Sequence, residues 1–162
     1  MSHDINPLSD RLLIRELIDR YSYAVNERDW SAFDSCFTDD AVWDVGKPFD
    51  FIAQGRMSIV EVGRTKISEQ DFVIQTPHAI VIWLDGDRAR AHSTVTEVVS
   101  AAGGATGIQM FGTYSDELVR SGDGWRFSRR VYRVTIVNLS PPVGDRYKEW
   151  AAGSRLSAIN SL

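Results

Sequence analysis

Cysteine is nearly absent. Cys36 is the single one in 162 residues, so no disulfide can form within the chain. Its neighbours Phe33 and Phe37 mark it as a buried structural thiol rather than a reactive one. Histidine is scarce too. His3, His78 and His92 lack the i,i+3 or i,i+4 spacing of metal-binding pairs, so neither a metal nor another cofactor is expected. No stretch approaches the roughly 18 apolar residues of a membrane span. The N-terminus is polar, without the apolar segment of a secretory signal, and a cytoplasmic location is expected. There is no excess of positive charge. Lys and Arg number 18 against 22 Asp and Glu, a net charge of −4, which argues against nucleic acid or an anionic membrane as partner. Gly103-Gly104-Ala105-Thr106-Gly107 lacks the strand–turn–helix setting of a dinucleotide site. No nucleophile elbow accompanies a Ser/His/Asp set.

What is present is apolar bulk and clear periodicity. Five Trp and seven Phe supply surface for a core, a pocket or a subunit interface. The length suits one domain, 1–162, with its core at about 9–139 and a tail from 140 to 162. Ser9 can cap a first helix, in which Leu13, Ile14, Leu17, Ile18, Tyr21, Ala24 and Val25 keep helical spacing. A short second helix starts at Asp29 or Trp30, with Phe33 and Phe37 in phase. Ala41–Val45 reads as a short strand and Gly46–Gly55 mainly as loop. Ser58–Ile67 reads as a third helix, weakened by Gly63. Strands are expected over Phe72–Gln75, His78–Leu84, Arg88–Ser100, Thr106–Arg120 and Trp125–Leu139. Asp85-Gly86-Asp87 and Ser121–Gly124 are hairpin turns between them, and Ala101–Ala105 is a small-residue loop. Pro141-Pro142 stops the last strand, and Tyr147, Trp150 and Ala151 suggest a partly helical tail. Helices followed by a meander of long strands define the α+β class. Long strands twist, and a strongly curved antiparallel or mixed sheet wrapped over three N-terminal helices makes a cone whose interior can be a pocket.

The run Tyr21 to Trp30, the segment Phe37-Thr38-Asp39-Asp40-Ala41-Val42-Trp43 and the segment Gly124-Trp125-Arg126-Phe127 resemble the SnoaL-like (NTF2-like) family from about Ser9 to Leu139. These segments mark the fold more than any activity. In the dehydratase and dehydrochlorinase branch of that family a histidine works with an aspartate. The resemblance places the histidine at His78, the aspartate's position at Asn26, a tyrosine at Tyr21 and a last-strand arginine at Arg133. It implies a cofactor-free lyase or isomerase, dehydratase-like, acting on a small hydrophobic molecule of polyketide, steroid or aromatic type. In that scheme His78 removes a proton, Asn26 orients the ring, and Tyr21 and Arg133 stabilise developing negative charge. Asn26 carries no charge, which costs on the order of a few kcal/mol of imidazolium stabilisation and favours the alternative, a non-catalytic small-molecule-binding or scaffold protein. Tyr23, Trp43, Asp44, Met110 and Tyr114 are expected to contact the substrate.

Strand alternation places Trp43 and Asp44 on opposite faces, so one of them points away from a pocket. Asp44 and Glu97 are the acids weighed as substitutes for the missing aspartate. Alternation along the last strand puts Trp125, Phe127, Val131 and Arg133 on one face if no bulge intervenes. Arg126, Arg129 and Arg130 then read as solvated, and His92 as surface or interface. Val81 and Trp83 on the outer sheet face suggest a homodimer or homotrimer.

Overall fold

The computed structural model describes residues 6–101, 107–122 and 124–139. The expectations for Tyr147, Trp150, Ala151 and the tail as a lid or oligomer contact, and for most of the loop at 101–105, lie outside them. The elements are α1 (Pro7–Glu27), α2 (Trp30–Ser35), β1 (Phe37–Val45), β2 (Phe51–Gln54), α3 (Arg56–Ser68), β3 (Gln70–Asp85), β4 (Arg88–Ala101), β5 (Gly107–Ser121) and β6 (Gly124–Leu139).

Helix α1 begins one turn earlier than the Ser9 cap predicts. Asn6 is the cap, its side chain accepting from the amides of Leu8 and Ser9, and Pro7 occupies the first turn, where a missing N–H costs nothing. Ile14, Leu17, Ile18, Tyr21 and Val25 form the buried stripe. The helix ends at Arg28, in the left-handed region with φ 57°. The Arg28 guanidinium donates to the carbonyls of Gln70 and Asp71, at 2.6 and 3.2 Å, and so ties α1 to the start of β3. Asp29 caps α2 through the amide of Ala32 at 3.0 Å. Gly63, unfavourable for α3 by propensity, has a packing reason. A Cβ there would lie 3.0 Å from Phe33 Cζ, so the glycine lets α3 approach α2.

Six strands form one curled, unclosed sheet in the order β2-β1-β6-β5-β4-β3. Only the β1–β6 pair is parallel. The α+β class, with three helices under a strongly curved mixed sheet, is therefore observed. The expected loop at Gly46–Gly55 contains the short strand β2, paired with β1 as a hairpin. The two strands expected on either side of Pro77 are one, β3, interrupted by a bulge. Pro77 pairs with Val95 and Ile80 with Ser93, so His78 and Ala79 together face Thr94. In β6, Phe127 pairs with Leu118 and Arg129 with Glu117, which leaves Ser128 as the extra residue of a second bulge. These two bulges decide which side chains enter the cone.

Cys36 is fully buried, with its thiol on the Ala32 carbonyl, and burial pushes its pKa up. Ionic contacts tie the start of α1 to β5 and β6. Asp10 of α1 takes two hydrogen bonds from Arg120, at 2.8 and 2.9 Å, and one from Trp125 Nε1, at 3.0 Å. Arg120 also stacks on the Trp125 ring at 4.7 Å. The Arg120 bonds hold the Asp10 carboxyl below the usual carboxylate range. A lowered pKa means that stability supplied by Asp10 is present above the unfolded-state pKa and lost as pH falls through the folded one. Asp10→Ala is expected to cost about 2–3 kcal/mol in urea unfolding at pH 7, with the difference from wild type shrinking in acid. A constant difference across that range would remove the charge from the account.

Candidate functional site

The wide end of the cone holds a cavity of about 190 Å³. Its walls are mainly apolar, from Val45, Phe49, Phe51, Val73, Val99 and Ile108 among others. Polar groups converge at one place. Gln75 of β3, Glu97 of β4, Tyr114 of β5, Tyr132 of β6 and Tyr21 of α1 all line it. Strand registry brings them together: Gln75 sits opposite Glu97, and Tyr114 opposite Tyr132, on the inner face of the sheet.

Glu97 is buried inside this apolar chamber and accepts a hydrogen bond from Gln75 Nε2. The same amide nitrogen reaches Tyr114 Oη at 3.3 Å. Burial pushes the Glu97 carboxyl up to about 7, against the pull of the Gln75 bond. Both of its protonation states are therefore populated near neutrality. Burial also raises the Tyr114 phenol to about 12, and raises Tyr21 and Tyr132. Three buried polar atoms of cavity-lining residues find no hydrogen-bond partner among the described residues: Tyr132 Oη, Trp43 Nε1 and Gln75 Oε1. The Tyr21 hydroxyl bonds to that of Tyr114.

Behind the tyrosines lies a buried ion pair. Arg130 is 1% exposed and stacks on Tyr114 at 3.8 Å, Tyr21 at 3.9 Å and Phe127 at 4.3 Å. Its Nε lies 3.6 Å from Asp116 Oδ1. Burial raises the Asp116 carboxyl to about 6, with Arg130 opposing the rise. The cation also works against the burial-driven rise of the Tyr21 and Tyr114 phenols.

The residues singled out in the sequence divide sharply. Tyr21, Trp43, Met110 and Tyr114 line the cavity. Tyr23 lies on the exposed side of α1, and Asp44 faces away from the cavity. Asp44 instead takes bonds from Arg133 at 2.7 Å and Arg129 at 3.1 Å; the Arg133 bond holds its carboxyl below the usual range. Arg133 is on the outside, its side chain half exposed. The extra residue Ser128 shifts the parity of β6, turning Arg130 and Tyr132 inward and Arg133 outward. The close passage of β5 over this region uses Gly112, where a Cβ would lie 2.6 Å from Tyr132 Cε2.

His78 requires the plainest correction. Its ring is exposed on the outer face and its Nε2 meets Thr96 Oγ1 at 2.8 Å. It does not touch Asn26, because the β3 bulge carries it out of the inner register. Asn26 instead holds the backbone of Gln75. Its Oδ1 accepts from the Gln75 amide at 2.7 Å and its Nδ2 donates to the Gln75 carbonyl at 2.9 Å. A carboxamide can serve both groups, whereas a carboxylate only accepts. Asparagine at 26 thus fits a neighbour that is a peptide unit, and it anchors the residue that reaches Glu97. His92 is exposed beside Ser115. Among the described residues no three His, Cys, Asp or Glu side chains cluster to hold a metal ion, and no helix is long and apolar enough to cross a membrane.

Gln75 and Tyr132 are the site residues that the sequence reading passed over, and Arg130, expected to be solvated, is instead buried. Gln75 carried a signal, as a polar residue between Val73 and Pro77 in an inward register. Arg130 is out of phase with Trp125 and Phe127 until one extra residue is allowed.

A protein provisionally described as an aromatic ring hydroxylase from Novosphingobium aromaticivorans has a similar structure, with TM-score 0.76, 24% identity, and coverage of 85% of this chain and 96% of its own. The hexachlorocyclohexane dehydrochlorinase LinA-type3 from Novosphingobium barchaimii LL02 gives TM-score 0.75 at 19% identity, covering 90% and 98%. A protein provisionally described as a scytalone dehydratase from Novosphingobium aromaticivorans DSM 12444 gives 0.74 at 19%, covering 87% and 97%. At these identities the similarity shows the fold. No curated protein matches the chain significantly in sequence. The profile of the SnoaL-like domain matches residues 6–131, most of the chain. Together with the curled sheet over three helices, that match establishes that the chain belongs to the SnoaL-like domain family.

Proposed function

We propose that this protein is a lyase or isomerase that needs no cofactor and moves a proton on a small, largely apolar molecule, with Glu97 as the proton-transfer group. The observation that carries this reading is a carboxyl buried in an apolar cavity, held by Gln75 and poised near pH 7. A base of that pKa takes a proton without a large penalty and returns it as readily. Glu97 removes a proton from the carbon next to a carbonyl, leaving the electron pair to form an enolate. The hydroxyl of Tyr132, which has no hydrogen-bond partner among the described residues, donates to the enolate oxygen. The protonated Glu97 then delivers its proton to another carbon, for isomerisation, or to a departing hydroxyl, for loss of water. Gln75 holds the carboxyl through both steps, and Asn26 is a positioning residue for Gln75.

The family's dehydratase-like and dehydrochlorinase neighbours are consistent with this class of reaction. His78 has no part in it. The test is enzyme-dependent exchange of carbon-bound hydrogen for deuterium in a panel of ring ketones, followed by proton NMR in D2O. Exchange retained by His78→Ala and lost in Glu97→Gln is the expected pattern; loss in His78→Ala alone sinks the reading.

One observation favours a second reading, a small-molecule-binding protein without catalysis: the Asn26–His78 contact is not made. On that reading Glu97→Gln alters ligand affinity while no compound turns over. The proposal also includes assembly as a homodimer or homotrimer in the cytoplasm, supported by the outward Val81 and Trp83 side chains, each about half exposed.

A further inference from the structure

We propose that Arg11, Asn26 and Arg28 of α1 form a clamp on the free edge of β3, and that this clamp keeps the edge from pairing with β3 of a second copy. The inference is independent of the proposed reaction and of assembly through the outer sheet face.

Among the described residues β3 ends the sheet, with β4 on one side and no strand on the other. An edge strand presents a row of backbone donors and acceptors that another strand can use. β3 is a strong template for such pairing. It runs for 16 residues, and Ala79-Ile80-Val81-Ile82-Trp83-Leu84 is an unbroken apolar run of high β propensity. Between Asp71 and Asp85 it carries no Asp, Glu, Lys or Arg. Two antiparallel copies of this stretch therefore meet no opposition between like acidic or basic side chains, and each apolar side chain finds an apolar partner.

The edge is nevertheless occupied, and by one helix. Arg28 donates to the carbonyls of Gln70 and Asp71 at the start of the strand. Asn26 takes both backbone groups of Gln75. Arg11 Nη1 donates to the Ile82 carbonyl at 2.7 Å, within the apolar run. The strand itself blunts the stretch between Asn26 and Arg11. Pro77 stands two residues after Gln75, so its nitrogen is turned to the same side as the Gln75 amide, and it has no N–H to offer. The His78–Ala79 bulge then breaks the spacing of the row. Edge strands are commonly protected by charges of their own. Here the two cations and the carboxamide come from α1, and the strand keeps its apolar side chains.

Light scattering and amide hydrogen exchange test the clamp on Arg11→Ala and on Arg11→Ala with Asn26→Ala, with the wild-type mass as baseline. Arg11 lies on the exposed side of α1, so its truncation leaves the core intact. In the double variant the Gln75 amide loses its acceptor and is expected to exchange at least about fivefold faster. At concentrations up to about 500 µM, which reach weak pairing, the double variant should at least double its scattering mass over wild type. As it associates, amides of Ile80–Leu84 should gain protection. Arg11→Ala should show a smaller increase in mass, and Arg11→Lys, which keeps a donor and a charge, should stay at the wild-type value. A wild-type mass in both alanine variants, or association that protects segments other than β3, would overturn the inference. If circular dichroism shows the double variant unfolded, Arg11→Ala decides, and an unchanged mass there overturns it. None of these readouts involves turnover.

Discussion

Glu97→Gln is expected to lower turnover by roughly 10²–10⁴-fold and to leave the fold intact. Glutamine has the shape of glutamate, and its carbonyl oxygen can still accept from Gln75 Nε2. What it cannot do is take a proton from carbon. The loss should therefore fall on the chemical step, with a smaller change in affinity for a neutral ligand. The same substitution makes a second, opposite prediction for stability. The Glu97 carboxyl is raised to about 7 by burial, so the folded state holds its proton longer than the unfolded chain. Stability from this group is complete below the unfolded pKa, erodes as pH rises through the interval up to about 7, and stays lost above it. Glu97→Gln removes that erosion. The variant should match wild type in acid and exceed it at alkaline pH by an amount on the order of a few kcal/mol. Chemical denaturation at several pH values checks this. An inactive variant that is also less stable at high pH would point to a structural role for the carboxylate.

The second large effect lies behind the site. Arg130→Met is expected to destabilise the protein by about 3–5 kcal/mol, because it strands Asp116 in the core without its counter-charge. In a domain of this size that is a fall of roughly 10 °C or more in Tm. The double substitution Arg130→Met with Asp116→Asn should recover much of the loss, since burying two neutral groups avoids the uncompensated charge. The activity of the double variant is the more telling number. The Arg130 guanidinium carbon lies 3.9 and 3.8 Å from the ring centres of Tyr21 and Tyr114, and its charge lowers the pKa of both phenols against the effect of burial. A double variant restored in Tm but impaired in turnover assigns Arg130 a positioning and polarising part. One restored in both leaves it a purely structural role. Arg130→Met unfolding within 1 kcal/mol of wild type would contradict the buried ion pair itself, given the range expected for such pairs.

The fold could be read from local patterns because those patterns are strong. The Ile14–Val25 stripe has one helical phase, and it is the stripe that α1 buries. The hairpin signal Asp85-Gly86-Asp87 lies between β3 and β4, with Gly86 at φ 58°. Met110 and Tyr114 could be assigned to the interior because they sit in an alternating stretch of β5. The misassigned residues share one physical cause. The resemblance puts His78 in the cone, and the resemblance together with alternation puts Arg133 there, but each strand contains an extra residue, at His78–Ala79 and at Ser128. One inserted residue sends every later side chain to the opposite face. Pro77 beside the first bulge is a local sign of an irregular strand, whereas nothing in the composition around Ser128 marks the second. Glu97 was visible as a candidate acid, but its importance comes from standing opposite Gln75 across the β3–β4 ladder, a pairing set by registry. Asn26 shows a different limit. Its meaning depends on its neighbour, and with a peptide group there instead of an imidazole, the amide is the better-suited side chain.

The account stands on Glu97 being a carboxyl whose burial makes it ionise near neutrality inside the cavity. The direct measurement is a carbon-13 NMR titration of its side-chain carboxyl in the ligand-free protein, with Glu97→Gln identifying the resonance. A midpoint near 7 is the predicted result. A midpoint at the ordinary glutamate value of about 4.3 would contradict it, because such a group would be solvated and a weak base at neutral pH.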